Sequence, residues 1–383
     1  LIKFNMKILF FTGSRSEWGY IRPILELCKR KKIKYEICVS NTHLLPSFGF
    51  SLNEIKKDGF QAKHKIFMTL DGYNNFSTTK SLGIFIQSFS DVLFNSKPDW
   101  LLLAGDRGET FAASIAGAYS NIPTAHIQAG ELSGNIDGMA RHAIGKMAHV
   151  HFASNKDAYK RLIRLGEEKY RIFETGATQL DDIKNKKYKN RREVEKKFSI
   201  KKDKKIILAI FHPVTEDQSA NKRNLVNSIK VLNNTDEQII WILPNSDSGS
   251  KDISDLIFEN TVSNSKIYRN VSRDFFLGLM AIADCMIGNS SAGLLEAPSF
   301  NLPSINLGRR QNKRLRGKNV IDLNIPTKNI ISLTLNRALK LKSTNKFSNI
   351  KNPYGNGNSS EKILKILNKL NNNKHLLYKN LEY

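Results

Sequence analysis

The feature that most constrains this chain is an alternation: short apolar runs of strand length recur between helix-length amphipathic stretches almost from end to end. Parallel strands need long crossovers, usually helical, so this order predicts parallel sheets covered by helices, an α/β architecture. In the first half, strands are expected at 7–11, 35–39, 100–104, 124–127 and 149–153. Helices are expected near 20–30, 80–94, 109–119, 139–147 and 156–165. A second series of strands runs through 206–211, 239–243, 266–268, 285–287 and 304–306. Residues 181–205 between the two series are highly charged and poor in large apolar side chains, which sets a domain boundary there. The expected division is 1–182, 183–358 and a C-terminal segment 359–383 whose short helix packs back on the first domain. A length of 383 residues agrees, since single cores stop growing near about 250–300 residues.

Charge narrows the partners. Sixty Lys and Arg against 35 Asp and Glu leave a formal net charge of +25, which suits nucleic acid, an anionic surface or an anionic small substrate. Many of the lysines fall in connector stretches interleaved with Asn (29–34, 184–189, 196–205, 340–351), the pattern of a solvated surface. Neither an RNA-recognition aromatic pattern nor Cys/His finger spacing is present, so nucleic acid is not the expected partner. Cys28, Cys38 and Cys285 are scattered without metal-ligand or disulfide-framework spacing. Apolar runs fall far short of the roughly 20 residues of a membrane helix, and residues 1–11 lack the order of a signal peptide; a soluble, cytoplasmic protein is the expectation.

The chemistry-bearing motifs sit at expected strand ends, where ligands of parallel α/β domains bind, and two such domains are expected to face each other across a cleft. Gly13-Ser-Arg15-Ser-Glu17 follows the first strand and opens a helix, so free backbone N–H groups and Arg15 are expected to face an anion. Gly105-Asp106-Arg107 displays an acid and a base at the end of 100–104; read blandly, Asp106 is a helix N-cap. His126-Ile-Gln128-Ala-Gly130-Glu131 ends the next strand, and Asp137, Arg141 and His142 follow, with Asp137 read blandly as another cap paired to Arg141. In the second half, His212 ends one strand, and Asn245 and Asp247 follow another. Gly288-Asn289-Ser290-Ser291-Ala-Gly293-Leu-Leu-Glu296 reads as a strand, turn and helix whose bare N–H groups and hydroxyls suit a pyrophosphate. Glu296 is either a ribose contact or a surface residue. Consecutive strand ends bearing carboxylates and arginine are what proton transfer around an anionic ligand requires.

Taken in order, Gly-Asp106-Arg107, His126-Ile-x-x-Gly-Glu131-x-Ser-Gly-x-Ile-Asp137 with Arg141-His142, Phe-His212-Pro-Val-Thr, Pro-Asn245-x-Asp247-x-Gly-Ser-Lys, Ile-Gly-Asn289-Ser-Ser291-x-Gly and Asn306-Leu-Gly-x-Arg310-Gln resemble the UDP-N-acetylglucosamine 2-epimerase family. The resemblance runs from about Met6 to Leu370 and is strongest to the hydrolysing branch that feeds sialic and related nonulosonic acids, such as legionaminic acid. It implies two Rossmann-like domains of GT-B type, with the nucleotide held mainly by the second. It further implies Asp106 and Asp137 as acid/base carboxylates, His212 as the active-site histidine, Ser290, Ser291 and Glu296 as diphosphate and ribose contacts, and Arg15 and Arg107 as phosphate-side arginines. Asn245, Asp247, Asn289, Gly293 and Arg310 belong to the same substrate-binding set, as do Arg141 and His142. One position departs: the family's further catalytic glutamate is Gln128 here, and a carboxamide cannot take a proton as a carboxylate does. Either Glu131 takes over part of that role, or Asp106 and Asp137 suffice in this subgroup, or its sugar differs.

The implied reaction is elimination of the nucleoside diphosphate from C1 with loss of the C2 proton, then hydration of the resulting 2-acetamidoglycal to a free manno-configured amino sugar. The substrate is UDP-N-acetylglucosamine, UDP-N,N'-diacetylbacillosamine or a GDP form. No cofactor and no metal are expected, and the family implies a homo-oligomer, dimer or tetramer. The alternatives are a non-hydrolysing 2-epimerase, a GT-B glycosyltransferase and a non-enzymatic polyanion-binding protein.

Overall fold

The computed structural model describes residues 4–46, 49–71, 74–132, 136–214, 217–244, 249–344 and 350–382, without the side chains of Asn75, Ile136 and Asp137. The chain divides into two compact units. Unit 1 is built from the N-terminal part through Asp181 together with Tyr354–Tyr383, and unit 2 from Asp182–Pro353.

In unit 1 the strands are β1 (Lys7–Thr12), β2 (Lys34–Ser40), β3 (His64–Ile66), β4 (Trp100–Ala104), β5 (Thr124–Ala129), β6 (Val150–Ala153) and β7 (Ile172–Glu174). Its helices are α1 (Arg15–Lys31), α2 (Leu52–Lys57), α3 (Asn75–Ser96), α4 (Gly108–Tyr119), α5 (Ile136–Met147) and α6 (Lys156–Arg164), and α7 (Leu180–Lys184) straddles the border. Unit 2 adds α8 (Arg191–Phe198), β8 (Ile206–Ile210), α9 (Gln218–Asn233), β9 (Gln238–Ile242), α10 (Ser250–Asn260), β10 (Ser265–Tyr268) and α11 (Arg273–Ile282). It continues with β11 (Cys285–Gly288), α12 (Ala292–Leu295), β12 (Ser304–Leu307), β13 (Val320–Leu323) and α13 (Lys328–Ser343); α14 (Ser359–Leu370) returns to unit 1.

Among the described residues, unit 1 has a seven-stranded sheet ordered β3-β2-β1-β4-β5-β6-β7, and unit 2 a six-stranded sheet ordered β10-β9-β8-β11-β12-β13. All recorded pairings between these strands are parallel. Both orders reverse once, between β1 and β4 and between β8 and β11, and such a reversal opens a crevice beyond the strands' carboxyl ends. The central strands read as continuous apolar runs because both faces are covered: every residue of β4 and of β8 is buried. On one face of unit 1, Phe11 packs against Phe85 and Phe89 of α3 at ring-centroid distances of 4.9 and 5.6 Å.

The C-terminal helix joins the core on the opposite face, where Ile363, Leu364 and Leu367 are fully buried beside Ile21 and Ile24 of α1. Burial at roughly 1.5–3 kcal/mol for each such side chain explains why the segment crosses back. The join is specified locally as well. The Asp181 carboxylate accepts the N–H groups of Ser359 and Ser360 at 3.0 and 2.8 Å, capping the start of α14. A Cβ on Gly176 would lie 2.9 Å from the Tyr354 carbonyl, so only glycine permits this approach. Tyr354 itself is fully buried, and its carbonyl accepts the Ala177 N–H at 2.8 Å. Residues 354–358, expected in the second domain, therefore lie in unit 1.

Three other differences from the sequence expectation have plain causes. β3, β7 and β13 are edge strands of three or four residues, too short to show a period. α1 begins five residues earlier than expected, at the Ser14 cap. The charged stretch after 181 carries α8, which buries Val194 and Phe198 on one face and leaves its charges outside. Among the described residues no helix is long and apolar enough to cross a membrane.

Candidate active site

The site in unit 1 grows from the carboxyl ends of β1, β4 and β5, next to the reversal in strand order. Gly105 follows β4, and its φ of +86° turns the chain so that Asp106 and Arg107 stand at the tip. The N-cap of α4 is Arg107, not Asp106, so the bland expectation for Asp106 fails. Asp106 is instead ion-paired with Arg141 of α5, which is 6% exposed. The same guanidinium donates through Nη1 to the Gln128 carbonyl at 2.8 Å. One arginine thus fixes the tips of two neighbouring strands, and the planar fork of its donors suits that geometry.

Gln128 has φ +62°, a left-handed conformation that costs a non-glycine residue about 1 kcal/mol or more, and it lies at a shift in the β5–β6 register between Ile127 and Ala129. This bulge aims the Gln128 carbonyl at Arg141 while its buried side-chain amide donates to Gln179 Oε1 at 3.2 Å. His126, two residues earlier and fully buried, donates Nε2–H to the Gly105 carbonyl at 2.7 Å. Burial holds its pKa down to about 3, so it is a neutral brace for the turn that presents Asp106.

Glu131 is buried, and its Oε1 accepts from both Ser154 Oγ and Asn155 Nδ2 at the end of β6. Asn155 in turn caps α6 through the Ala158 N–H at 2.9 Å. His142 is half-buried on α5, with a pKa lowered by burial and by Arg141 and Arg161. Asp137 lies in the first turn of α5, four residues before Arg141; its side chain lies outside the described residues.

The loop after β1 corrects an expectation. Its N–H groups are not free for an anion, because Gly13 and Ser14 donate to Glu17 Oε2 at 2.5 and 3.0 Å in a capping box. Glu17 Oε1 also accepts from Thr110 at 2.6 Å, tying the first loop to α4. Burial and the neighbouring Glu109 carboxylate push the Glu17 pKa up to about 8, against the Thr110, Arg107 and Gly13 contacts that lower it. A Cβ on Gly13 would stand 2.4 Å from Glu109 Oε1, so any larger residue there forces the Glu109 side chain to move. Arg15 pairs with Glu54 at 2.9 Å, and Arg107 with Glu109 at 3.2 Å.

Unit 2 builds its site at the ends of β8 and β11. Asn289, 1% exposed, is its hub. Its Oδ1 accepts the His212 N–H at 2.7 Å and its Nδ2 donates to the His212 carbonyl at 2.8 Å. Its own carbonyl accepts from Gln311 at 3.0 Å and from Arg310 at 3.3 Å. Asn289 therefore positions His212 and Arg310 and has little left for a ligand. Burial, then the Arg310 guanidinium, hold the His212 pKa down to about 3, which makes it a neutral imidazole.

Ser290 and Ser291 precede α12, which is a single turn rather than the full helix expected. Its Gly293 and Leu294 N–H groups already donate to the Ser290 and Ser291 carbonyls at 3.2 and 3.0 Å, so fewer are bare than expected. Gly293 is small for packing: a Cβ would meet Ser304 Oγ at 2.2 Å. Glu296 is buried and its Oε1 pairs with Arg273 Nη1 at 2.8 Å, which removes the surface-residue reading. Asn245 and Asp247 lie outside the described residues. Sequence reasoning missed Gln179 and Arg273, which act on other site residues and carry no local motif; Glu109 and Gln311 fall inside motifs it singled out but were given no role. Glu17 was legible, through the Ser-x-x-Glu spacing of its capping box.

Two doubly wound parallel units, one carrying a buried carboxylate–arginine cluster at its strand tips, define an α/β enzyme of GT-B-like fold. The crystal structure of UDP-GlcNAc 2-epimerase from Neisseria meningitidis bound to UDP-GlcNAc matches this fold with a TM-score of 0.81 at 24% identity, covering 95% of this chain and all of that one. The profile of the UDP-N-acetylglucosamine 2-epimerase family matches residues 25–368. The chain is 39% identical to the UDP-N,N'-diacetylbacillosamine 2-epimerase (hydrolyzing) of Legionella pneumophila over 94% of its own length and 95% of the relative's. It is 35% identical to the GDP/UDP-N,N'-diacetylbacillosamine 2-epimerase (hydrolyzing) of Campylobacter jejuni, over 83% and 84%. The chain belongs to the UDP-N-acetylglucosamine 2-epimerase family.

Proposed function

We propose that this protein is a hydrolysing 2-epimerase of UDP-N,N'-diacetylbacillosamine, releasing UDP and a free manno-configured 2,4-diacetamido sugar of the kind a nonulosonic acid pathway consumes. The observation that carries the choice of sugar is the 39% identity, over nearly the whole of both chains, to an enzyme of that name.

A C2–H of a sugar is not acidic, so its removal needs a carboxylate held in place while the diphosphate leaves C1. Asp106, oriented by Arg141, and Asp137, on the same helix as Arg141, are the two groups assigned to proton transfer. Neutral His212, Arg310 and the serines before α12 are assigned to the departing diphosphate, and Glu296 to the ribose. Gln128 contributes hydrogen bonds and, through its carbonyl, an anchor for Arg141. A carboxamide there leaves proton transfer to the aspartates, with Glu131 the further candidate.

The test is incubation with a panel of UDP- and GDP-linked 2-acetamido sugars, with NMR of the products. Free sugar plus UDP, fastest with the diacetylbacillosamine form, is the expected result. An intact epimerised nucleotide sugar overturns hydrolysis, and preference for UDP-N-acetylglucosamine overturns the sugar.

A further inference from the structure

The C-terminal tail beyond α14 makes contacts that core packing does not require. The Lys379 ammonium, 12% exposed, donates to the carbonyls of Gly145, Lys146 and Ala148 at 2.5, 3.1 and 2.8 Å. These are acceptors at the C-terminal end of α5, where helical carbonyls lack intrahelical partners and the dipole favours a cation. The same ammonium pairs with Glu167 Oε2 at 2.6 Å, and Lys146 of α5 pairs with Glu167 Oε1 at 3.0 Å. His151 completes the Glu167 cluster at 2.9 Å. The tail is in turn held in place. Arg171, fully buried, donates to the Leu376 and Tyr378 carbonyls at 2.7 and 2.5 Å, and the Glu382 N–H donates to the Gly166 carbonyl at 2.9 Å.

The helix so gripped carries Asp137 and Arg141 at its other end. We propose that Lys379 is a positioning residue: by capping α5 it fixes the axial placement of the helix that presents Asp137 and holds Asp106 through Arg141. This rests on the functional reading above for its catalytic consequence, but not for its structural one. A buried cation satisfied by four acceptors is costly to hold for solubility alone, and a distant misplacement of about 1 Å lowers turnover by as much as about 100-fold.

The test compares wild type, Lys379→Met and Lys379→Arg in the full chain, with Leu367→Ala as a control that thins the α14 contact without touching α5. Two readouts are taken: steady-state kinetics, and amide hydrogen exchange of residues 138–147. Lys379→Met is expected to lower kcat about 10- to 100-fold with KM within about 3-fold, and to speed exchange in α5. Lys379→Arg restores both, and Leu367→Ala lowers Tm while leaving kcat within about 2-fold. Unchanged α5 exchange in folded Lys379→Met overturns the proposal whether or not the wild type turns over a nucleotide sugar. So does an equal loss of kcat in Leu367→Ala. If Lys379→Met does not fold, Lys379→Gln, which retains a donor, takes its place under the same criteria. Absence of wild-type turnover with accelerated α5 exchange refutes the functional reading and leaves the clamp standing.

Discussion

The two units share the order of six strands, with unit 1 adding β7 at one edge, but equip their strand ends differently. Unit 1 crowds ionisable side chains behind its tips: Asp106 on Arg141, Arg107 on Glu109, and Glu131 among polar donors. Unit 2 reaches the same topological position with an amide hub, Asn289, a neutral histidine and a one-turn helix between small residues. The first arrangement gathers charged side chains in ion pairs. We expect changes at the unit 1 strand tips to strike turnover, and changes at Glu296 and its partner Arg273 in unit 2 to strike affinity.

The largest expected effect is in unit 1. Asp106→Asn should lower kcat by about 10²- to 10⁴-fold while UDP binding, measured by calorimetry, stays within about 3-fold. An equal fall in UDP affinity would erase the distinction between the units. Arg141→Met comes next: it removes the ion pair to Asp106 and the donor to the Gln128 carbonyl, so an unfolding shift of about 3–5 kcal/mol in denaturant titration should accompany its loss of activity. Full activity would mean that Asp106 needs no partner.

In unit 2, Arg273→Ala releases Glu296 and should raise KM about 10-fold with kcat nearly unchanged. A fall in kcat alone contradicts the assignment. Gln128→Glu is smaller and sharper. Reduced or unchanged turnover fits a site that relies on aspartates, whereas a several-fold gain shows that a third carboxylate was missing.

Acid should also separate the units. Burial holds His126 at about 3 and His43, His149 and His151 at about 4, below the usual 6.5. As pH falls through 6.5 the unfolded chain binds protons that the fold refuses, so this stability is complete above 6.5 and drains towards 4, by up to about 1.4 kcal/mol per pH unit for each proton. Glu167, lowered to about 2, adds to the loss below its usual value; Glu17, raised to about 8, has the opposite sign, its contribution lost as pH rises through 8. Unit 2 has His212 alone among the eight histidines. Hydrogen exchange at pH 5 and pH 7, corrected for intrinsic rates, should therefore show protection lost mainly in unit 1; equal loss in both units counts against the pKa assignments.

How far the sequence could be read follows from the range of each interaction. Central strands were legible because two-sided burial writes a continuous apolar run, as at 100–104, and α14 because its period is complete. Edge strands β3, β7 and β13 were not, since three or four residues hold too little period, although β10, also at an edge, was expected where it lies. Motif residues at strand ends were found, but their partners were not. That Arg141 reaches Asp106 35 residues away, or that Thr110 of α4 donates to Glu17, depends on the folded path of the chain. The bulge at Gln128 likewise has no local signature, for glutamine is not a residue that announces a positive φ.

The most direct test of the account is turnover of UDP-N,N'-diacetylbacillosamine in D₂O, followed by NMR. Release of UDP with a free sugar bearing deuterium at C2 and inverted configuration there is the predicted result. A released sugar that keeps its original C2 hydrogen contradicts proton transfer by the strand-tip carboxylates.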